Sequence, residues 1–527
     1  MAVTHLDADV TIVGAGFSGS LTALALRRLG YSVVLLERGR HPRFAIGESS
    51  TPLAGLLLEE FADRYDLPQL RPFSKWGTWQ RAYPQVGCGL KRGFSFFRHD
   101  WDQPFADAGH ERQLLVAASP HDAIADTHWY RPDFDEHLVG EAVALGATYF
   151  DDTTISTLHV EGDRGAVIEA TRPAQAIRVT TRFVVDASGP RGFLHRTLAL
   201  DERTPRWLPA TQGLYTHFTG VTRWDDLNPP EARPPFPIDD AAVHHVFPGG
   251  WIWILRFSNG LTSAGAAVTD SLARELRFQE GEPAWRRLLS RLPSVQAQFA
   301  QARATRPFIH SPRVAFRSEA VVGPCWAMLP SAAGVIDPLL STGFPLTLLG
   351  IGRLVDVLHQ TWCQPGRAEA LADYARQTQQ ELDATERLVA ALYASMEDFA
   401  LFKRVSLLYF AAASFSETVR RLGRPEDAPG FLLVGRPAFS AEFTACCDAA
   451  MAHQTGTARA ALLTRIDAAI APIDVAGLGD RGRRDWYPAL ADDLMRAAPR
   501  LGATAEELKA LLERSGFDTP SREEILR

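Results

Sequence analysis

Cysteine is scarce. The five present (Cys88, Cys325, Cys363, Cys446 and Cys447) in 527 residues cannot build a disulfide framework, and the adjacent Cys446-Cys447 is not a C-x-x-C metal half-site. Histidines, among them His99 and the His244-His245 pair, lack a second ligand at metal spacing, so no metal is expected. Positive charge is also short. Lys plus Arg total 55 against 62 Asp plus Glu, for a net charge of −7, and no basic tract occurs. That excludes a nucleic-acid binder. No run of 18 apolar residues is present, so stable membrane insertion is not expected. The N-terminus has neither a charged leader nor a cleavable apolar core, and the expected location is the cytoplasm. Repeats and low-complexity blocks are missing too. What remains, 46% hydrophobic and 22% charged residues, is the make-up of a globular enzyme long enough for more than one lobe.

The opening carries the strongest local pattern. Asp9 to Val13 reads as a strand, Gly14-Ala15-Gly16-Phe17-Ser18-Gly19 follows at once, and Leu21 to Leu29 has helical spacing up to the C-cap Gly30. A second strand, Ser32 to Leu36, ends at Glu37. In this βαβ setting the glycines permit a tight turn and let amides at the helix N-terminus approach a pyrophosphate. Glu37 is placed to accept hydrogen bonds from a ribose. Only one such fingerprint occurs, which argues against a built-in NAD(P)H domain. Phe183 to Gly189, with Asp186 at the strand end, and Cys325 to Pro338 look like the same domain returning, and Gly343 to Leu358 reads as an apolar helix. The expected division is a cofactor domain over 1–200 and 311–364, an inserted β lobe over 201–310, and a helical region over 365–527. Within that region, helices are expected over 368–396, 399–422, 438–452 and 458–470, with a short exposed helix in 504–527.

Four stretches occur together: His41 to Pro52 (His41-Pro42-Arg43-Phe44-Ala45-Ile46-Gly47-Glu48-Ser49-Ser50-Thr51-Pro52), Lys91 within Cys88-Gly89-Leu90-Lys91-Arg92-Gly93-Phe94, Trp251-Ile252-Trp253, and Asp337-Pro338-Leu339-Leu340-Ser341-Thr342-Gly343. The combination resembles the FAD-dependent halogenases, most of all the phenolic ones, from residue 8 to about 360. The resemblance implies an α/β fold: a glutathione-reductase-like Rossmann FAD domain, an inserted mainly β substrate lobe and a helical C-terminal region. It implies FAD used as FADH2 from a separate flavin reductase, chloride or bromide as co-substrate, and chlorination or bromination of a small electron-rich aromatic. A phenol or resorcinol of secondary-metabolite (antibiotic) biosynthesis suits that class best.

Carried over residue by residue, the resemblance makes Lys91 the catalytic amine that receives hypohalous acid. A desolvated lysine can act as a hydrogen-bonding cation or, its pKa lowered, as a neutral amine that takes up the halogen. The plain alternative is a surface lysine beside Arg92, and Lys75 is the rival candidate. Expected FAD contacts are Gly14, Gly16, Phe17, Ser18, Gly19, Glu37, Arg38, Ile46, Gly47, Glu48, Ser49, Arg131, Asp186, Ser331, Gly334, Asp337 and Pro338. Asp186 may equally be a turn residue. Thr342 and Gly343 are the expected halide site, at a helix N-terminus that is otherwise an ordinary N-cap. Trp251, Trp253, Phe94 and Phe96 are expected to line the substrate pocket, the alternative being plain core.

Three departures stand out. Leu255-Arg256 replaces the Ile-Pro that follows the two tryptophans. Pro330-Ser331 replaces the Gly-Asp of the ribityl motif, which predicts loosely held FAD. Leu340 replaces a glutamate of the tryptophan halogenases, so a lysine-partnering carboxylate is missing there and free tryptophan is disfavoured as substrate. Rival readings are a single-component aromatic monooxygenase, a flavin-fold protein without catalysis, and halogenation of a pyrrole or phenol tethered to a carrier protein.

Overall fold

The computed structural model describes residues 3–362, 364–452 and 455–517; Cys363 and the 518–527 part of the expected tail helix lie outside them. Its first sheet is built on the opening strand. Val3–Val13 pairs in parallel with Gln175–Asp186 on one side and with Val33–Leu36 on the other, and Thr148–Phe150 and Trp326–Met328 extend the two flanks. Strands such as Val33–Leu36, covered on both faces, need continuous apolar sequence, and all four of its residues are buried. The helix Phe17–Arg28 follows the glycine turn and is buried from Phe17 to Leu26.

The second sheet has nine strands. It is not confined to 201–310: Ala242–Phe247 pairs in parallel with Gly93–Arg98, which pairs with Gln113–Ala117, and Trp486–Tyr487 from the helical region completes that rim. The two-residue period of a strand sends alternate side chains to opposite cores. Trp251, Trp253 and Leu255 join the core shared with the first sheet, while Ile252 and Ile254 join a separate core with Trp285 and Leu288. Where a proline was expected the strand simply runs on. Leu255 and Arg256 stay paired with Ser263 and Thr262, and Arg256 is anchored by Asp239 at 3.1 Å.

A short antiparallel ribbon, Cys88–Lys91 with Asp126–Trp129, places Lys91 opposite Asp126. The helical region contains Arg367–Ala394, Phe399–Arg421, Pro437–Met451 and Gly456–Ile470. The tail helix Ala505–Ser515 starts at a capping box between Thr504 and Glu507. Two helices, Leu339–Thr361 and Phe399–Arg421, have the length and hydropathy of a membrane span, yet most of each is buried inside the protein, where both pack on Pro52–Arg64.

Candidate active site

The glycine turn is sterically obligatory. Gly14 has φ +102° and a Cβ there would lie 2.6 Å from the Ala187 carbonyl oxygen, while a Cβ on Gly19 would collide with the carbonyl of Gly14. Gly16 faces outward, and a Cβ on it would meet Arg131 Nη2 at 3.4 Å and Arg43 Nη2 at 3.5 Å. Two guanidinium groups therefore stand over the amide turn and the N-terminus of Phe17–Arg28, where a diphosphate would need them. Arg43 was not singled out from the sequence; it sits in the His41–Pro52 stretch whose glycine and serines drew attention instead.

Glu37 accepts from the amides of Ala15 at 2.8 Å and Gly39 at 2.9 Å, and from Arg43 at 3.0 Å. Burial opposes its charge, but the Arg43 guanidinium and the two amides outweigh that and hold its carboxyl below the usual range. Arg38, the next residue, is exposed. Arg131 makes a two-point ion pair with Asp135, donates to the carbonyls of Ile46 and Gly47 at 3.2 and 3.0 Å, and lies 4.9 Å from the Phe17 ring. It thus ties the 46–47 backbone to the turn. Ser331 Oγ lies 3.4 Å from Ser18 Oγ, at the same turn.

Two expected contacts stand differently. The Asp186 carboxylate is committed to its own turn, accepting from Ser188 N, Ser188 Oγ and Leu194 N at 2.9, 2.6 and 2.6 Å. The Cβ direction of Gly334 points at Leu382 of Arg367–Ala394. Both shape backbone, and neither side presents a side chain to the turn. Taken together, the glycine turn, the paired guanidiniums and the Glu37 carboxylate at the end of the second strand, already bonded to the turn at Ala15, fit an adenine dinucleotide such as FAD.

The segment 337–343 is bent and mostly buried, with Pro338 and Gly343 exposed. Asp337 accepts from Leu339 N at 2.9 Å and from Tyr393 OH at 3.0 Å, and burial pushes its carboxyl up to about 7. The Trp251 indole N–H is directed at the same carboxyl without closing a hydrogen bond of normal geometry. Pro338 leads into Leu340 and Ser341, consecutive non-glycine residues at φ +66° and +56°. Such conformations cost on the order of 1 kcal/mol each and persist where surrounding structure enforces them, often at functional sites. Thr342 is buried, and nothing lies within 4 Å of a Cβ built on Gly343, the first residue of Gly343–Thr361. The N-terminus of a long helix thus opens onto free space.

Lys91 lies at the end of its ribbon with no exposed surface. Its ammonium donates to the Ser50 carbonyl, sits 3.9 Å from the Phe94 ring centre and lies 3.7 Å from Asp126 Oδ2. The wall around it is aromatic. Phe96 stacks on His244 at 4.5 Å, His244 lies 5.3 Å from Trp251, and Phe402 and Phe410 of Phe399–Arg421 meet Phe96 and Phe94 at 5.8 and 4.9 Å. Trp253 lies 5.6 Å from Trp251 and directs its N–H to Ser263 Oγ. Burial, then the Lys91 charge, lowers the pKa of both His128 and His244, the latter to about 3, so both stay neutral. Lys75, the rival, is paired with Glu59 at 3.7 Å and lines a cleft on the far side of Asp126.

Both carboxylate oxygens of Asp126, Ser50 Oγ, His128 Nδ1, His244 Nδ1 and Trp251 Nε1 are buried without a hydrogen-bond partner. Such orphans are rare in folded proteins; those of Asp126, Ser50, His128 and His244 lie about the Lys91 ammonium while that of Trp251 is aimed at Asp337, and together they mark a chamber built for polar chemistry. Glu48 and Ser49 border it: Glu48 Oε1 pairs with His217 Nε2 at 2.9 Å, while Glu48 Oε2 and Ser49 Oγ are unpartnered. Asp126, Tyr393, Phe402 and Phe410 escaped the sequence reading, because no spacing joins residue 91 to 126 or to a helix some 300 positions on.

A family model for FAD dependent oxidoreductases matches residues 9–326. The chain is 32% identical over 404 residues to monodechloroaminopyrrolnitrin halogenase PrnC of Pseudomonas fluorescens, covering 75% of this chain and 69% of that one. It is 30% identical over 419 residues to tetracycline 7-halogenase of Kitasatospora aureofaciens, covering 77% and 73%. The solved structure of halogenase PltM in complex with phloroglucinol and FAD superposes with a TM-score of 0.81 at 25% identity, covering 90% of this chain and 99% of PltM.

Proposed function

Because the chain belongs to the FAD-dependent halogenases, enzymes acting on aromatic substrates, we propose that it chlorinates or brominates a small electron-rich phenol or resorcinol, with Lys91 as the group that receives hypohalous acid. The observation that carries this reading is the ammonium sealed from solvent in an aromatic chamber whose Trp251 reaches toward Asp337. Reduced FAD held at the glycine turn, received from a separate flavin reductase, would supply the electrons that activate oxygen, and oxygen is the oxidant that turns halide into hypohalous acid.

This chain's residues do the rest. Gly14, Gly16, Phe17, Ser18 and Gly19 offer backbone to the diphosphate, Arg43 and Arg131 supply charge, and Glu37 takes the ribose. Glu48, Ser49, Ser331, Asp337 and Pro338 border the flavin ring and ribityl chain. The amides of Thr342 and Gly343 hold the halide at a positive helix end without a full charge, so it can be released. Trp251 and Trp253 wall the halide side from the substrate side. Lys91 holds the acid oxygen by a hydrogen bond, or as free amine takes up the halogen, while Phe94 and Phe96 orient the ring. Phloroglucinol in the PltM complex favours a phenolic substrate; the cytoplasm, where reduced flavin is made, is the matching compartment.

The test combines the protein with a flavin reductase, chloride or bromide, and a panel of free phenols, indoles and pyrroles plus a carrier-bound pyrrole, read by the halogen isotope pattern. Lys91→Ala should lose all product yet bind FAD as before. Product from Lys91→Ala would remove Lys91 from the chemistry, and NADPH oxidation by this chain alone would favour a monooxygenase.

A further inference from the structure

We propose that Asp126 is the positioning residue of Lys91, a counter-carboxylate that the ribbon supplies in place of one on the segment before Ser341-Thr342-Gly343. The proposal rests on the role of Lys91 given above. The carboxylate-bearing position of that segment is taken here by Leu340, which is fully buried and apolar. Asp126 stands directly across from Lys91 in antiparallel register, so sheet hydrogen bonding, not side-chain chance, sets their separation. Oδ2 lies 3.7 Å from Nζ, and the two side chains are 1% and 0% exposed.

Neither oxygen of Asp126 closes a hydrogen bond of normal geometry, although the Thr127 amide and the Ser50 hydroxyl are directed at the carboxylate. A carboxylate serving as a strut would be spent on amides, as Asp186 and Asp337 are. Ser50 is the third member: its carbonyl accepts from Nζ while its hydroxyl, unpartnered, adjoins Asp126. On its far side Asp126 borders a cleft lined by Pro52, Lys75, Arg421, Leu511, Leu512 and Phe517, so it stands between the ammonium and an opening to solvent.

The chemical consequence concerns the proton on Nζ. A buried amine without a counter-charge sheds its proton, and burial already pulls Lys91 down while Asp126 pulls it up. The other titratable groups facing the pair are His128 and His244 on the Lys91 side, and on the Asp126 side Glu417 and Tyr409 of Phe399–Arg421 together with the cations Lys75 and Arg421 across the cleft. Both histidines are neutral, so Asp126 is the near anion that keeps Nζ charged and aimed. With it Lys91 grips hypohalous acid as an ammonium donor; without it the amine drifts toward the neutral form.

The chain makes this measurable, since its lysines are only Lys75, Lys91, Lys403 and Lys509. Full-length protein labelled with 13C and 15N at the lysine side-chain ends gives few signals, and Lys91→Met identifies the relevant one. In Asp126→Asn the Lys91 titration should move to lower pH by about one unit or more, as loss of an opposite charge in contact requires, and Asp126→Glu should restore most of it. Halogenated product should fall by roughly 10–100-fold in Asp126→Asn, the range for losing a group that orients a reactive one. FAD affinity should be unchanged, and oxidised halide should escape to a bulk scavenger such as monochlorodimedone. Where Asp126→Asn does not fold, Asp126→Ser carries the same expectations.

An unmoved Lys91 titration, or full product formation at every pH without the carboxylate, overturns the assignment. The titration needs no substrate. If Lys91 follows Asp126 but no aromatic is halogenated, the functional reading fails and the pairing stands. If product requires Lys91 yet ignores Asp126, the pairing fails alone.

Discussion

Removing both members of the Lys91–Asp126 pair should leave a protein at least as stable as the original, although removing either one should damage it. At 3.7 Å and an effective dielectric of about 20, the attraction is worth roughly 4 kcal/mol. Burial nevertheless lowers the pKa of Lys91 and raises that of Asp126, so desolvation outweighs attraction for each. The signs follow. A lysine whose folded pKa lies below its unfolded value weakens the fold wherever the unfolded lysine is charged, below about pH 10. An aspartate whose folded pKa is raised weakens it above about pH 4.

Near pH 7 both costs are present and each is partly offset by the partner. Lys91→Met or Asp126→Asn alone strands a buried charge and should cost about 3–5 kcal/mol, whereas the double variant should be neutral or gain about 1–4. With an unfolding entropy of about 2 cal/mol/K per residue, a 527-residue chain melting as one unit shifts by roughly 1 °C per kcal/mol. Each single variant should therefore melt about 3–5 °C lower, and the double at or above the parent, in FAD-free protein so that ligand binding does not mask the difference. The Lys91→Met deficit should shrink as pH falls toward 5, where Asp126 takes up a proton. A double variant that melts at the summed deficit of the two singles would show that the charges do not sense each other, and the reasoning would fall.

Other outcomes follow from the cofactor turn and the bent segment. Gly19→Ala should purify without flavin, because its methyl collides with the Gly14 carbonyl; a normal flavin spectrum would contradict that geometry. Arg43→Ala should weaken FAD binding about 10–100-fold, the equivalent of one charge-assisted hydrogen bond of roughly 1.5–3 kcal/mol, as read by flavin fluorescence titration. Asp337 ionises in the unfolded chain from about pH 4 but in the fold only near 7, so its burial costs stability increasingly between those values and stays constant above. Asp337→Asn should thus match the parent near pH 3 and exceed it at pH 8 by on the order of 4 kcal/mol. Equal melting at both pH values would refute the raised pKa.

Local patterns were legible where one short segment determines the outcome. The strand, glycine turn, helix and acidic end at Glu37 lie within a few dozen residues, and Gly14 and Gly19 have steric reasons that their spacing anticipates. Of the two readings of Lys91, the surface lysine is excluded by its burial. What stayed hidden depends on pairing between distant segments. Nothing in the sequence says that Asp126 lies across from Lys91, because the register arises from a ribbon closed by the residues between them. Gly93–Arg98 and Gln113–Ala117 fall inside a stretch that reads as cofactor domain, yet they pair with the second sheet. The replacement of proline by Arg256 has a consequence only the pairing reveals: a residue with a free amide extends a ladder that proline would end. Asp186 shows the opposite limit: its type and place fitted a cofactor contact and a turn residue equally, and only the hydrogen bonds show its oxygens bonded to Ser188 and Leu194.

Trp486–Tyr487 is two residues long, but it caps the rim of the second sheet, with Leu115 N bonded to the Asp485 carbonyl. Its neighbour Ala505–Ser515 forms part of the wall beside Asp126. Trimming the chain near residue 480 to obtain a minimal catalytic body would therefore leave Gln113–Ala117, still paired with Gly93–Arg98 on one side, as an open edge on the other, an invitation to self-association, and at the same stroke unroof the chamber. Solubility and solvent exclusion are sewn to the same hem, so tails exchanged between relatives should carry both traits together.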